Sequence, residues 1–351
     1  MALIEQGLQP ADFAATAART VGACVGLSLR EQAVRLAGDG LLGVIAHDHV
    51  GGLGLPLSFA VPVVAAANAG LLGFPLAETL LLSRVLFPSM RRAAEALVSG
   101  EMLATIAWQG AVIAERQGDA VVLNGSVARA PGAAEVDHVL VRVGDSAVAL
   151  IPVGTEGVLI EQATGLDLTL PEHSLQLADV RLSAECLLPE GTWNGLCSDA
   201  ALLRAAAILG SAETCLALAQ EHASNRRQFG RALSYNQAIR HALARHKLGL
   251  ESIRHSITRA LDIEAGALER DVAFLAASVH GAAITEGALQ IHGGMGFTWD
   301  VPVHRHLRRI RALQAQGDAS SVMAALGQRT IAEIEPAADA PESRREESLL
   351  T

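Results

Sequence analysis

The feature that most constrains this chain is a change of hydrophobic period in its middle. On either side apolar residues recur at helical spacing, whereas residues 101–190 carry short β-branched runs separated by turn residues. DAVVLNGSVARA sets two such runs around Asn124-Gly125, a dipeptide that favours a hairpin turn. DHVLVRVGDSAVALIPV, EGVLIEQ and HSLQLADVRLSAECLL continue the pattern, which predicts a small antiparallel barrel or sandwich. Further on, Ala201, Ala205, Ile208, Ala212, Leu216 and Ala219 step at threes and fours. Leu243, Leu250, Ile253, Ile257 and Leu261 make a second stripe, and two long stripes with short connections predict an antiparallel four-helix bundle. The first hundred residues read as alanine-rich helices broken at Gly51-Gly52 and Gly54. The expectation is an α+β, mostly helical chain: an N-terminal helical domain over 1–100, a β-domain over 101–193, and a helical bundle over 194–335. A disordered tail, PAADAPESRREESLLT, completes it over 336–351.

Composition narrows the function. With 351 residues, half of them hydrophobic and only 3% aromatic, the core must be large and packed with small aliphatic side chains. A net charge of −10 argues against nucleic-acid binding, which needs a basic face. Arginines cluster only locally, at 226–231 and 305–311, which suits a small anionic ligand or else two solvated helix faces. Cys24, Cys186, Cys197 and Cys215 form no C-x-x-C pair, so neither zinc nor a disulfide scaffold is expected and a reducing cytoplasm fits. MALIEQGLQPADFAAT lacks signal-peptide character, and the apolar run from Leu53 to Leu72, interrupted by Gly, Pro and Asn, reads as buried helix with no membrane role. The glycines near 51–54 lack the lysine of a phosphate loop. His47 and His49 flank Asp48 without a third ligand group, so no metal site is expected and the histidines belong to the loop before Gly51. His304 and His306 read as surface residues.

The segment NRRQFGRALSYNQAIRHALARHK breaks a helical pattern at Phe229-Gly230 and frames the break with Arg226, Arg227 and Arg231. Two readings stand on the local pattern: a helix C-cap with arginines in the last turn and glycine beyond it, or cations arranged to meet an anion.

Two motifs together resolve that choice. RRQFG, with Gln237 eight residues after Phe229, and QIHGGMGFTWDVPVHRHLRR, from Gln290 to Arg309, resemble the acyl-CoA dehydrogenase family. HDHVGGLGL, LNG and LADVRLSAECLL resemble family segments in the same order, so the likeness covers roughly residues 30–330. It implies a helical domain, a small β-domain and a four-helix bundle. It also implies FAD as cofactor, an acyl-CoA substrate and an electron-transfer flavoprotein as electron acceptor. By the same resemblance, Arg226 would pair with the flavin pyrophosphate of a neighbouring subunit and Phe229 would pack near it. Gln237 would bond toward the adenine end, while Gln290, Gly293 and Gly294 would bring backbone close to the phosphates.

The chain departs from the family pattern where chemistry is done. The family's catalytic glutamate aligns with Gly317 in RRIRALQAQGDASSVM, and the minority position for that base, on the first bundle helix, aligns with Ala200. Asp318 and Asp199 are the neighbouring carboxylates, but each also reads as a helix N-cap. The flavin-contacting T-E-P-x-x-G-S-D stretch is missing before LNG, and Arg129 and Pro131 stand where the family's Trp and Thr stand after it. Trp108, at this depleted edge, would cover the ring or fill the vacated space. The resemblance therefore points to the base-less subunit of a heteromeric, α2β2 acyl-CoA dehydrogenase. The alternatives are a self-sufficient homo-oligomer with a displaced base, or a non-catalytic structural subunit.

Overall fold

The computed structural model describes residues 7–333; the tail expected at 336–351 lies outside the described residues. Helices α1 (Pro10–Ala23), α2 (Leu29–Gly38), α3 (Leu57–Ala69), α4 (Leu76–Val85) and α5 (Arg91–Ser99) come first. Ser28 and Glu31 form a capping box that starts α2. Tight 3-10 turns at Leu41–Gly43 and Asp48–Val50 take up the glycine-rich stretch before α3.

The strands follow: β1 (Ala104–Ile106), β2 (Gln109–Gln117), β3 (Ala120–Pro131), β4 (His138–Val143), β5 (Ala147–Pro152), β6 (Val158–Gln162), β7 (Glu172–Ser183) and β8 (Leu187–Leu188). They form one sheet in the order β6-β7-β3-β2-β4-β5-β8, with β1 beside β4. Two expectations are corrected here. The sheet is mixed, because β1 runs parallel to β4 and β2 meets β4 in parallel at Val112–Val143. Turn signals fix only strands that are consecutive in sequence, and these pairings are not. Asn124-Gly125 is also not the hairpin turn: β2 and β3 are joined by Gly118-Asp119, since Gln117 pairs with Ala120. Asn124-Gly125 instead forms an irregularity inside β3, where the register against β7 shifts. There the Asn124 side chain donates to Asp179 and accepts from the Asp179 N–H at 2.8 Å.

The bundle consists of α6 (Thr192–Asn225), α7 (Gln237–Ala260), α8 (Ala267–His292) and α9 (Val303–Gln316), with α10 (Ala319–Ala332) against α8. Contacts along the helices fix their directions. Asp199–Arg270 near one end of α6 and α8 and His222–His292 near the other make these two parallel. Gly287 beside His246 and Gly249 beside His280 set α7 antiparallel to α8, and Glu286–Arg311 with Ser278–Gln314 set α9 antiparallel to α8. The first stripe lies wholly in the core. The N-terminal helices dock through Gly210, where a Cβ would stand 2.0 Å from the Ala65 carbonyl oxygen, so α3 and α6 touch backbone to backbone. By length and composition Thr192–Asn225 and Ala267–Phe297 could cross a membrane, but 72% and 61% of their most apolar windows are buried inside the protein, which accounts for the hydrophobicity.

Candidate functional site

The RRQFG segment is neither helix interior nor a glycine cap. Helix α6 stops at Asn225, where Arg226 is the C-cap and its N–H donates to the His222 carbonyl at 2.8 Å. A two-stranded ribbon follows: β9 (Arg227–Gln228) pairs with β10 (Arg231–Ala232) around the two-residue turn Phe229-Gly230. Both turn residues have positive φ, +51° and +78°, the signature of the type I′ turn that suits a tight hairpin. Gly230 serves that turn rather than the helix end, which corrects the C-cap reading. Phe229 projects fully into solvent, 99% exposed. An aromatic residue in left-handed conformation without burial gains nothing for its own chain's stability.

Contact between the tilted rings of His222 and His292, with centroids 4.5 Å apart, sets the end of α8 beside this ribbon. Ala223, Leu289, Ile291 and Val303 share an apolar cluster beneath the two motifs, with Leu233 and Val301 packed against it. On top of it Arg226, Arg227, Arg231, Gln237, Gln290, Gly293 and Gly294 are all exposed. A Cβ at Gly293 or Gly294 would meet nothing within 4 Å, so the backbone there is open to an incoming group. Tyr235, Phe297 and Trp299 are exposed around it. Cations, open backbone and exposed aromatic rings at one end of a bundle can receive a dinucleotide phosphate with its ring systems.

The second basic cluster is different. Arg309 is buried, forms an ion pair with Asp167, and donates to Asn68 and to the Leu72 carbonyl. His304 and His306 are not surface residues as expected but are 8% and 1% exposed; two positions apart on α9 they lie on different faces, and His304 meets the Trp299 ring edge-on at 5.2 Å. Burial, reinforced by Arg309 and Arg305, pushes the His306 imidazole down to about 3.

The two positions that the resemblance aligns with the family's base, Gly317 and Ala200, lie near the meeting of α6, α8 and α9 with the sheet. Gly317, the C-cap of α9, packs on the Phe274 ring and the aliphatic stem of Arg204; a Cβ there would lie 2.5 Å from Phe274 Cζ. Ala200 is buried on α6 and lines the adjoining cavity with Glu78, Leu203 and Arg204. Asp318, at φ +45°, is exposed and caps α10 by accepting from the Ser321 N–H. Asp199 is not a helix start, because α6 begins seven residues earlier at Thr192; it is clamped between Arg84 and Arg270.

Trp108 fills the space at the depleted edge. It is buried, donates from Nε1 to Glu78 Oε1 at 3.0 Å, and carries the Arg204 guanidinium 4.1 Å above its ring. Burial pushes the Glu78 carboxyl up, partly offset by the Trp108 hydrogen bond and by Arg204 and Arg309. Beside it Arg129 pairs with the buried Glu172, which also accepts from Gln316 at 2.8 Å. None of Glu78, Asp167, Glu172 or Arg204 stood out in the sequence. The available signal was a lone charge in an apolar run, as in PLAETLLLS and DAALLRAAAILG.

N-terminal helices, a mixed sheet and an antiparallel bundle converging on one cleft define the class of acyl-CoA dehydrogenase-like folds. The family model "Acyl-CoA dehydrogenase, C-terminal domain" matches residues 198–332. Acyl-CoA dehydrogenase FadE34 of Mycobacterium tuberculosis (strain ATCC 25618 / H37Rv) is 29% identical over 79% of this chain, which spans 39% of that protein's length. Acyl-CoA dehydrogenase IpdE2 of the same organism is 28% identical over 77% of this chain and 76% of its own. In three dimensions a chain from the ChsE4-ChsE5 complex of Mycobacterium tuberculosis superposes with a TM-score of 0.85 at 25% identity, covering 93% of this chain and 98% of that one. Residues 198–332 thus match the acyl-CoA dehydrogenase family's C-terminal domain, and the chain as a whole is similar to members of that family in sequence and fold.

Proposed function

We propose that this chain is an acyl-CoA dehydrogenase subunit that completes a partner chain's FAD site and supplies no catalytic base of its own, in an α2β2 assembly. The observation that carries the reading is the Gly317 position: it holds no carboxylate, and Phe274 occupies the space where one would start. Proton abstraction needs a base within hydrogen-bond reach of the substrate carbon. The neighbouring carboxylates are engaged elsewhere, Asp318 as a cap and Asp199 between two arginines, which disfavours a self-sufficient enzyme with a displaced base.

The exposed bundle end fits FAD, whereas the chain's own crevice does not. At the bundle end Arg226 would neutralise the diphosphate, Phe229 would pack on the cofactor, Gln237 and Gln290 would hydrogen-bond to it, and Gly293-Gly294 would admit it closely. In the crevice Trp108 is engaged by Glu78 at its Nε1 and by Arg204 on its ring face, so these groups are turned to one another rather than to a flavin, and Pro131 has no N–H to donate. FAD, when bound, accepts the hydride in dehydrogenation of an acyl-CoA thioester across its α,β bond. This chain's residues hold and orient that cofactor and shield it from water. The pairing of two different chains in the ChsE4-ChsE5 complex supports the heteromeric form. The substrate class is a lipid or steroid acyl-CoA, the acceptor an electron-transfer flavoprotein, and the compartment the cytoplasm. The cluster of partner-facing residues favours this role over a purely structural subunit.

The test is Arg226→Ala in the co-purified assembly. Loss of most of the bound flavin, with the chains still associated, is expected; flavin content equal to the parent's would overturn the assignment.

A further inference from the structure

Arg204 interrupts an otherwise apolar stretch of α6, and nothing in the proposed flavin site uses it. Its residue is 7% exposed, and its Nη2 is buried without a hydrogen-bond partner. The Trp108 ring answers the face of the guanidinium by a cation–π contact, which leaves the N–H edge free to donate. Glu78 is close enough to act on the cation, but it spends an oxygen on Trp108 Nε1, and the Arg204 Nη2 donates no hydrogen bond to it. Arg204 is thus an under-compensated buried cation, an arrangement that favours an anionic partner.

It lies on a cleft of about 450 Å³ between the sheet and the bundle, within the size range of small-molecule sites. Trp108, Trp193 and Phe274 give this cleft apolar walls, and Arg142, 5.9 Å from the Trp193 ring, adds a second cation. Two carboxylates are also present. Asp318 is tied up as the α10 cap, and burial pushes the Asp271 carboxyl above its ordinary value.

We infer that this cleft binds an organic carboxylate with a compact apolar body. The carboxylate accepts from the Arg204 edge, and the apolar part rests on Trp108, Trp193 and Phe274. Arg204, whose Cδ lies 3.2 Å from where a side chain at 317 would begin, suits holding an anion rather than removing a proton. This site belongs to the chain alone and requires no flavin, so it stands or falls independently of the role proposed above.

Trp108 and Trp193 line the cleft, so tryptophan fluorescence of the purified chain reports occupancy. Octanoate is expected to give a saturable change, with octanol, its uncharged counterpart, weaker by about tenfold or more. Arg204→Met and Arg204→Gln are expected to bring octanoate down to the level of octanol, and Arg204→Lys to retain part of the difference. Equal binding of octanoate and octanol, or undiminished octanoate binding by Arg204→Met, would overturn the inference. So would saturation by octanoyl-CoA with no response to octanoate up to millimolar concentration, which would assign the cleft to the thioester. If the Arg204 variants fail to fold by circular dichroism, the octanoate–octanol comparison on the parent chain decides alone.

Discussion

Phe274 on α8 stands against Gly317 at the end of α9, so closely that a Cβ at 317 would lie 2.5 Å from Cζ and 2.8 Å from Cε1. Position 317 therefore lacks a carboxylate, and the Phe274 ring stands in the direction in which any side chain there would start. Gly317→Glu should destabilise the chain by about 1–3 kcal/mol through overpacking and should confer no exchange of the substrate α-proton. Adding Phe274→Ala should relieve part of the strain. Thermal unfolding and deuterium incorporation into an acyl-CoA measure the two effects. Exchange activity in Gly317→Glu alone would show that the position is open after all.

The Phe229-Gly230 turn sets stability against function. Phe229 adopts φ +51° while 99% exposed, and asparagine is far better suited to the first position of such a turn. Phe229→Asn should raise the stability of the isolated chain by about 0.5–1 kcal/mol. In the assembly it should weaken flavin retention. Denaturant midpoints and flavin absorbance read the two halves of this prediction separately.

Glu78 and Trp108 are coupled inside the cleft. Trp108→Phe removes the donor at 3.0 Å and leaves a buried acceptor unpaired, which should cost about 1–3 kcal/mol. Glu78→Gln keeps an acceptor and should cost less. Because burial raises the Glu78 carboxyl above its ordinary value, the parent protein binds that proton more tightly folded than unfolded. That contribution is full below the unfolded value and is lost as pH rises through the folded one. Glu78→Gln should therefore gain on the parent as pH increases, which paired unfolding curves at acid and mildly alkaline pH would show.

His306 gives a dependence of opposite direction. Its folded value of about 3 lies below the ordinary 6.5, so the unfolded chain takes up the proton first on acidification. Stability from this group is complete above about 6.5 and falls as pH drops toward 3. His306→Phe should flatten the loss between those limits, measured as the slope of unfolding free energy against pH. An unchanged slope would mean that His306 titrates normally.

The layer order was legible because it rests on local period: helical stripes, then β-branched runs, then stripes again. Asn124-Gly125 misled because the same dipeptide serves a tight turn and a strand irregularity, and the choice depends on Asp179 across the sheet. The parallel pairing of β1 with β4 was invisible for a similar reason: it joins residues 104–106 to 138–140 without a turn between them. Phe229 and the paired glycines were visible because they sit inside the two sequence motifs on which the family resemblance rests. The buried ions were not, because Glu78, Asp167 and Arg204 find their partners only through packing of distant helices. His304 and His306 looked like surface residues because no local signal shows that both faces of α9 are covered at its start.

The most direct test of the central claim is flavin absorbance per chain, measured on this chain purified alone and again after co-expression with a full-length acyl-CoA dehydrogenase as partner. The account predicts a colourless chain alone and a yellow complex carrying close to one flavin for every two chains. A chain that is yellow alone, with one flavin per chain, would contradict it.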